Sequence, residues 1–258
     1  MIKPEVEVNS VSEMTLGEWE LLVQMMNRHG CAHLVQSGNP DGPVESLRSL
    51  GNRFGKPVYH KLSDDYGIHP IRYIPGFPEY ANANFEDLGL HTDGSFEDDP
   101  PVFMMIYCET PAEDGGDSTL ASGDVLYTHL HQNNPEYLDA LCKPAAFKIS
   151  RDDRTASRSV FLAIGDRYRL AYRSGSDVRL EVDPGAAEAF EYVRNWLLDP
   201  ENYFVFKLRP GEILIFDNTR MLHGRTGFSP DAHRSLYGLW CDGGEGRDNA
   251  LLSGIDPN

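Results

Sequence analysis

The sequence predicts a mainly β protein with helices on its outside, a β-sandwich or open barrel. Two observations carry this. Short apolar runs recur from residue 102 to residue 240, separated by turn residues at close spacing. Helical periodicity is limited to a front section and a few short stretches between those runs. A chain of 258 residues suits one hydrophobic core, so residues 1–258 are read as a single domain.

The elements follow in order. Residues 15–28 read as an amphipathic helix, because Leu16, Leu21, Leu22, Met25 and Met26 recur at helical spacing and Gly30 supplies a stop. Residues 31–35 form a short apolar strand. Residues 44–54 form a second helix, with Leu47, Leu50 and Phe54 along one side and Gly55-Lys56-Pro57 ending it. Residues 63–78 lack periodicity and hold several prolines, so they are expected to be a loop covering an active site. β character begins near Tyr80 and leads to Asp93. The stretch 94–101 is too polar and proline-rich for a strand interior and reads as a second covering segment. Residues 102–108 are a continuous apolar run, hence a buried strand.

Gly115-Gly116 turns the chain into a strand at 118–121, and 124–130 and 136–141 are short helices. Residues 160–164 and 168–172 flank Gly165-Asp166 as a hairpin. Asp183-Pro184 opens a helix that runs to about Leu198. Residues 204–208 and 213–216 are expected to pair as a hairpin about the turn Arg209-Pro210-Gly211-Glu212. Residues 234–240 are the last strand.

Composition narrows the function. A formal charge of −17 argues against nucleic acid or an anionic membrane as partner, since both need a basic surface. No apolar run approaches the roughly 18 residues of a membrane span. Residues 1–7 are polar and acidic, unlike a signal peptide. Cys31, Cys108, Cys142 and Cys241 are widely spread, which suits neither a zinc knuckle nor a disulfide scaffold. Four free thiols fit a reducing cytoplasm. Association of copies of the chain into a homo-oligomer is left open.

The chemistry gathers at Leu88-Gly89-Leu90-His91-Thr92-Asp93. On a strand, residues two apart share a face, so His91 and Asp93 present an imidazole and a carboxylate together. That is two thirds of a 2-His-1-carboxylate triad, the set that holds non-haem Fe(II). Of nine histidines, His129 and His131 lie in a helical segment facing different ways, and His233 lies in a polar turn. His223, beyond the apolar strand 213–216, is the best third ligand. Arg234 follows, and Arg234, Leu236, Gly238 and Trp240 share one strand face. A buried arginine needs an anion, and a bound carboxylate provides one, with Gly238 leaving room for it.

These residues resemble the Fe(II)/2-oxoglutarate dioxygenases of the TauD/TfdA-like (clavaminate synthase-like) superfamily, nearest the γ-butyrobetaine hydroxylase branch. The resemblance runs from about Gly30 to Asp242 and rests on three stretches. They are the His91-x-Asp93 motif, Gly115-Gly116-Asp117-Ser118-Thr119-Leu120, and the segment from Phe216 through His223 and Arg225 to Arg234. It implies a double-stranded β-helix (jelly-roll, cupin-like) core, with Fe(II) on His91, Asp93 and His223. It also implies 2-oxoglutarate chelating the iron with its far carboxylate on Arg234, and Ser118 or Thr119 contacting it. O2 is the oxidant, and succinate and CO2 are products. Asp93 argues against halogenation, because the related halogenases lack that carboxylate.

For the substrate, Asn82, Asn84, Phe96, Arg173 and Arg225 are the candidate contacts, with Arg72, Tyr73, Phe85 and Tyr172 nearby. A trimethylammonium group would want an aromatic cage, and an anionic one an arginine. Glu97-Asp98-Asp99 would attract a cation or form a solvated cover. The expected function is oxidation, by default hydroxylation, of a small polar amino acid or amine. Desaturation or ring formation by a biosynthetic tailoring enzyme is the alternative. A non-enzymatic β-barrel binding protein is the rival of another class.

Overall fold

The computed structural model describes residues 4–59, 61–75 and 84–257. The front section holds β1 (Glu5–Val8), α1 (Leu16–His29), β2 (Cys31–Gln36), α2 (Pro43–Gly51), β3 (Pro57–Val58) and β4 (His69–Ile71). Then come β5 (Leu88–His91), β6 (Phe103–Thr110), β7 (Ser118–Ser122), α3 (Gly123–Asn133) and α4 (Pro135–Cys142). A middle section adds β8 (Phe147–Arg151), β9 (Arg154–Arg158), β10 (Phe161–Ile164), β11 (Arg167–Leu170), β12 (Arg179–Val182) and α5 (Ala187–Leu198). The chain closes with β13 (Phe204–Phe206), β14 (Ile213–Asp217), β15 (Met221–Arg225) and β16 (Ser235–Cys241).

Two sheets face each other. The larger runs β1-β2-β14-β6-β16-β3, with β4 also paired to β16, and the smaller runs β13-β7-β15-β5. Along the chain β5, β7, β13 and β15 join the smaller sheet while β6, β14 and β16 join the larger. Successive strands therefore alternate between sheets, which is the double-stranded β-helix. Met104, Leu120, Phe216 and Leu236 fill the space between them. On the outer face of the larger sheet, Trp19, Leu22, Met26, Leu50, Phe54 and Phe103 form a separate core under α1 and α2. Phe54 stacks edge-on against Phe103 at 5.2 Å and Trp19 at 5.7 Å.

α1 starts at Thr15, whose hydroxyl accepts from the Glu18 N–H while the Glu18 carboxylate accepts from the Thr15 N–H, a reciprocal cap. Its end is held by Arg220, which donates to the carbonyls of Asn27 at 2.7 Å and Arg28 at 3.1 Å. No helix among the described residues is long and apolar enough to cross a membrane.

Several local expectations change. Leu16 and Leu21 of α1 face solvent, and Trp19 and Val23 complete the buried stripe instead. The second helix ends at Gly51, before Phe54. The segments 204–208 and 213–216 are no hairpin: β13 pairs with β7 and β14 with β2 and β6, so the turn between them carries the chain across the barrel. Asp183 opens a turn, accepting from the Gly185 N–H, and α5 begins only at Ala187.

The proposed cover at 63–78 contains β4, which is part of the larger sheet, while residues 76–78 lie outside the described residues. The segment 94–101 is docked rather than free. Gly94, Ser95 and Phe96 are buried, Glu97 pairs with Arg154, and Arg158 donates to the carbonyls of Ser95 and Glu97. β8, β9 and β12 form a small sheet that periodicity did not reveal, because their short stretches carry charge on the exposed face.

Candidate active site

β5 is the edge strand of the smaller sheet, and its register with β15 sets His91 opposite His223. Directly paired cross-strand residues are close neighbours, and here the two ring centroids are 4.3 Å apart. β5 ends at His91, so Asp93 is not on the strand as expected but in the turn two residues beyond it, and the turn brings the Asp93 carboxylate back to His91. Its Oδ1 lies 3.1 Å from His91 Nε2, and its Oδ2 lies 3.8 Å from His223 Nε2. One ligand atom from each residue fits within 4.8 Å of the others. The backbone is pinned from elsewhere in the chain. Asn218 accepts from the Asp93 N–H at 2.8 Å and donates to the carbonyls of Asp93 at 3.0 Å and Pro101 at 2.8 Å. Sequence reading passed over Asn218, since nothing local announces a contact with a residue so distant in the chain.

Protonation suits metal binding. His91 Nδ1 donates to the Gly89 carbonyl at 2.8 Å, so in the neutral ring Nε2 is the nitrogen that carries the lone pair, and it faces the cluster. Burial, then the charges of His91 and Arg173, push His223 down to about 3, so it is neutral near pH 7. Burial resists ionisation of Asp93, but in acid, where the imidazoles carry protons, the His91 hydrogen bond and the charges of His223, His91 and Arg173 outweigh it and hold the carboxyl well below its usual range. A neutral His223, the Nε2 of His91 and an anionic carboxylate match the 2-His-1-carboxylate donor set that takes Fe(II) and leaves coordination positions open.

A cavity of about 100 Å³ is lined by all three residues together with Ser118, Arg225, Arg234, Leu236, Gly238 and Trp240. The strand face expected for Arg234 to Trp240 is thus the one that lines it. Arg234 is buried. Its hydrogen bonds are long, to the carbonyls of Ile71 at 3.4 Å and Gly116 at 3.5 Å, its Nε has no hydrogen-bond partner, and its guanidinium lies over the Phe228 ring at 5.0 Å. Among the described residues no carboxylate lies in ion-pair range of it. Burial lowers it to about 10, with Cys108 and Asp117 acting in the opposite direction, and a buried charge of this kind is one that a bound anion would compensate. The space beside Gly238 is filled differently from expectation, because a Cβ there would meet His69 Nε2 at 2.5 Å. The glycine makes room for His69, which in turn lines the cavity.

The remaining candidates separate. Ser118 lines the cavity and Thr119, the next residue along β7, does not. Arg225 lines it too, but its guanidinium donates to the Asn84 carbonyl and Oδ1, both at 3.0 Å, and to the Glu86 carbonyl. Those bonds go to neutral oxygens, not to a surface carboxylate, and they occupy Asn84 as well. Burial, then the charge of Arg234, lowers Arg225 to about 9. Phe96 is core, with the guanidiniums of Arg151 and Arg154 on its ring at 5.4 and 4.7 Å. Tyr172 is core as well, stacked on Phe190 at 5.0 Å. Arg173 is 2% exposed and bonded to Asp177, so it is not a free substrate contact. Tyr73 packs edge-on against Phe85. Asn82 lies outside the described residues.

A 2-His-1-carboxylate cluster at one end of a double-stranded β-helix, sharing a cavity with a buried arginine, defines the class of non-haem iron oxygenases. The comparisons narrow the class. The family profile described as taurine catabolism dioxygenase TauD, TfdA family, matches residues 2–240. A uridine-5'-phosphate dioxygenase of Amycolatopsis sp is 27% identical over 242 residues, covering 83% of this chain and 86% of the relative. Human γ-butyrobetaine dioxygenase is 28% identical over 236 residues, covering 84% of this chain and 58% of the relative. The structure of the non-haem iron oxygenase OrfP in complex with Fe, succinate and (3S)-hydroxy-L-Arg superposes with a TM-score of 0.71 at 15% identity, covering 95% of this chain and 88% of that one. The chain belongs to the TauD/TfdA family. It is an Fe(II)/2-oxoglutarate-dependent dioxygenase, so the non-enzymatic binding protein is set aside.

Proposed function

We propose that this dioxygenase hydroxylates a small polar metabolite of the amino-acid or amine type in the cytoplasm. His91, Asp93 and His223 hold Fe(II), and Arg234 pairs with the far carboxylate of 2-oxoglutarate. The observation that carries this reading is one cavity lined by both the ligand cluster and a buried guanidinium without a carboxylate partner among the described residues. Bound Fe(II), with 2-oxoglutarate and O2, supplies the oxidising chemistry and yields succinate and CO2. The chain's own residues prepare for it. Gly89 fixes the tautomer of His91, burial keeps His223 neutral, Asn218 holds the Asp93 backbone, and Ser118 offers a hydroxyl to the co-substrate.

Relatives named for γ-butyrobetaine and trimethyllysine support an amine-like substrate. The uridine-5'-phosphate dioxygenases, one of them 32% identical over 189 residues, favour a second reading, a nucleoside monophosphate. Desaturation or ring formation would use the same site.

The test is anaerobic addition of Fe(II) and 2-oxoglutarate to the metal-free protein. A visible charge-transfer band should appear and be lost in His223→Ala. Arg234→Ala removes a charge-assisted contact of roughly 1.5–3 kcal/mol, so it should raise the 2-oxoglutarate requirement about 10- to 100-fold. An unchanged requirement would move the anchor to Arg225. Succinate release with amino acids, methylated amines and uridine 5'-phosphate then separates the two substrate readings.

A further inference from the structure

We infer that Arg173 is a positioning residue for Asp93: held from behind by Asp177, its guanidinium engages Asp93 Oδ1 and leaves Oδ2 directed toward the metal. The inference rests on the iron site proposed above.

The two residues are brought together by backbone. The Thr92 N–H donates to the Tyr172 carbonyl at 2.8 Å, and the Tyr172 N–H donates to Thr92 Oγ1 at 3.0 Å. The residues that follow, Asp93 and Arg173, therefore leave the contact side by side. Arg173 NH1 lies 3.5 Å from Asp93 Oδ1. Its Nε lies 3.1 Å and its NH2 2.5 Å from Asp177 Oδ2. A planar guanidinium gripped along one edge by a carboxylate has little freedom to turn, so its third nitrogen is aimed.

The far side is braced as well. Arg151 NH1 is 3.5 Å from Asp177 Oδ2, and its guanidinium sits on the ring of Phe96, three residues beyond Asp93. The contacts close a loop from Asp93 through Arg173, Asp177 and Arg151 back to the segment that carries Asp93. Charges alternate around it and sum to zero, so it remains compatible with burial.

The chemistry follows from which oxygen is engaged. Oδ1 faces both His91 Nε2 at 3.1 Å and Arg173 NH1. Oδ2 is left on the His223 side, 3.8 Å from its Nε2. A carboxylate free to rotate would exchange its two oxygens, and Arg173 breaks that equivalence. Partners behind metal ligands typically change metal affinity 10- to 100-fold when removed. A plain structural ion pair would need only Asp177, and the third contact, to Asp93, is what distinguishes this arrangement.

The experiment compares Arg173→Met with Asp177→Asn by anaerobic titration of Fe(II) into metal-free protein, followed by calorimetry and by the visible band with 2-oxoglutarate. Both variants break the same ion pair, but only Arg173→Met removes the group facing Asp93. The expected result is roughly tenfold or greater loss of Fe(II) affinity in Arg173→Met, a distinctly smaller loss in Asp177→Asn, which keeps the guanidinium and an oxygen behind it, and partial recovery with a shifted band in Arg173→Lys. Arg173→Lys keeps the charge, so it serves as the folded test if the methionine variant does not fold. Equal loss in Arg173→Met and Asp177→Asn, or unmodified affinity and band in Arg173→Lys and Arg173→Met, would overturn the assignment while leaving the iron site standing. Absence of Fe(II) binding by the unmodified protein would sink both.

Discussion

A histidine buried beside another imidazole and an arginine resists protonation, and this sets how the metal-free protein answers to acid. Histidine ordinarily titrates near pH 6.5, while the folded chain holds His223 near 3. Between those values the unfolded chain takes up a proton that the folded chain refuses. Stability is therefore full above about pH 6.5 and falls as pH drops through that window. The urea midpoint of metal-free protein should be lower at pH 5 than at pH 7.5, and His223→Gln should flatten the difference. A midpoint that does not move in the unmodified protein would contradict the buried, neutral state of His223. At this scale the sequence is a good guide to identity and a poor guide to employment. The residue types of the triad and Arg234 announce their chemistry, whereas Phe96 and Arg173 look equally fit for a substrate and turn out to be engaged by neighbours.

Strands decide whether the ligands meet. Gly224 sits between His223 and Arg225 on β15, where a Cβ would lie 2.4 Å from the Leu88 carbonyl of β5 and 2.7 Å from Thr119 Oγ1 of β7. Gly224→Ala must push the edge strand carrying His91 away from His223. Overpacking of this kind costs about 1–3 kcal/mol, and Fe(II) affinity should fall with it, read by the visible band. Phe103 lies on the opposite face of the larger sheet, in the core under α2. Phe103→Ala should cost about 3–5 kcal/mol of stability, read by denaturant unfolding, and leave the band in place. The pair of variants thus separates site from scaffold, and a lost band in Phe103→Ala would show that the two cores are not independent. Strand existence was legible where apolar runs were long, as in β6 and β14. It was hidden in β8, β9 and β12, whose pairing partners rather than their composition make them strands.

Across the whole molecule the two sheets are interleaved in sequence, so neither can form without the other. β5, β7, β13 and β15 are separated in the chain by strands of the larger sheet and by the middle section. Ligands bound between the sheets should therefore stabilise the entire domain. At a free concentration 100 times the dissociation constant, the linkage is worth about 2.7 kcal/mol. Fe(II) with 2-oxoglutarate should raise the melting temperature, with far-UV and tryptophan signals moving together. Separate transitions would mean that the middle section unfolds on its own.

The sequence by itself determined the β character, the front helices, the residue types of the candidate metal cluster and their order along the chain. These depend on local periodicity and on side-chain chemistry, which each short stretch carries within itself. The tertiary structure decided the rest: the crossing of the chain between sheets at residues 207–212, the register that faces His91 with His223, and the burial of Arg173 between two carboxylates. Those are set by contacts between residues far apart in sequence, and their energies depend on burial and pairing that no local pattern records.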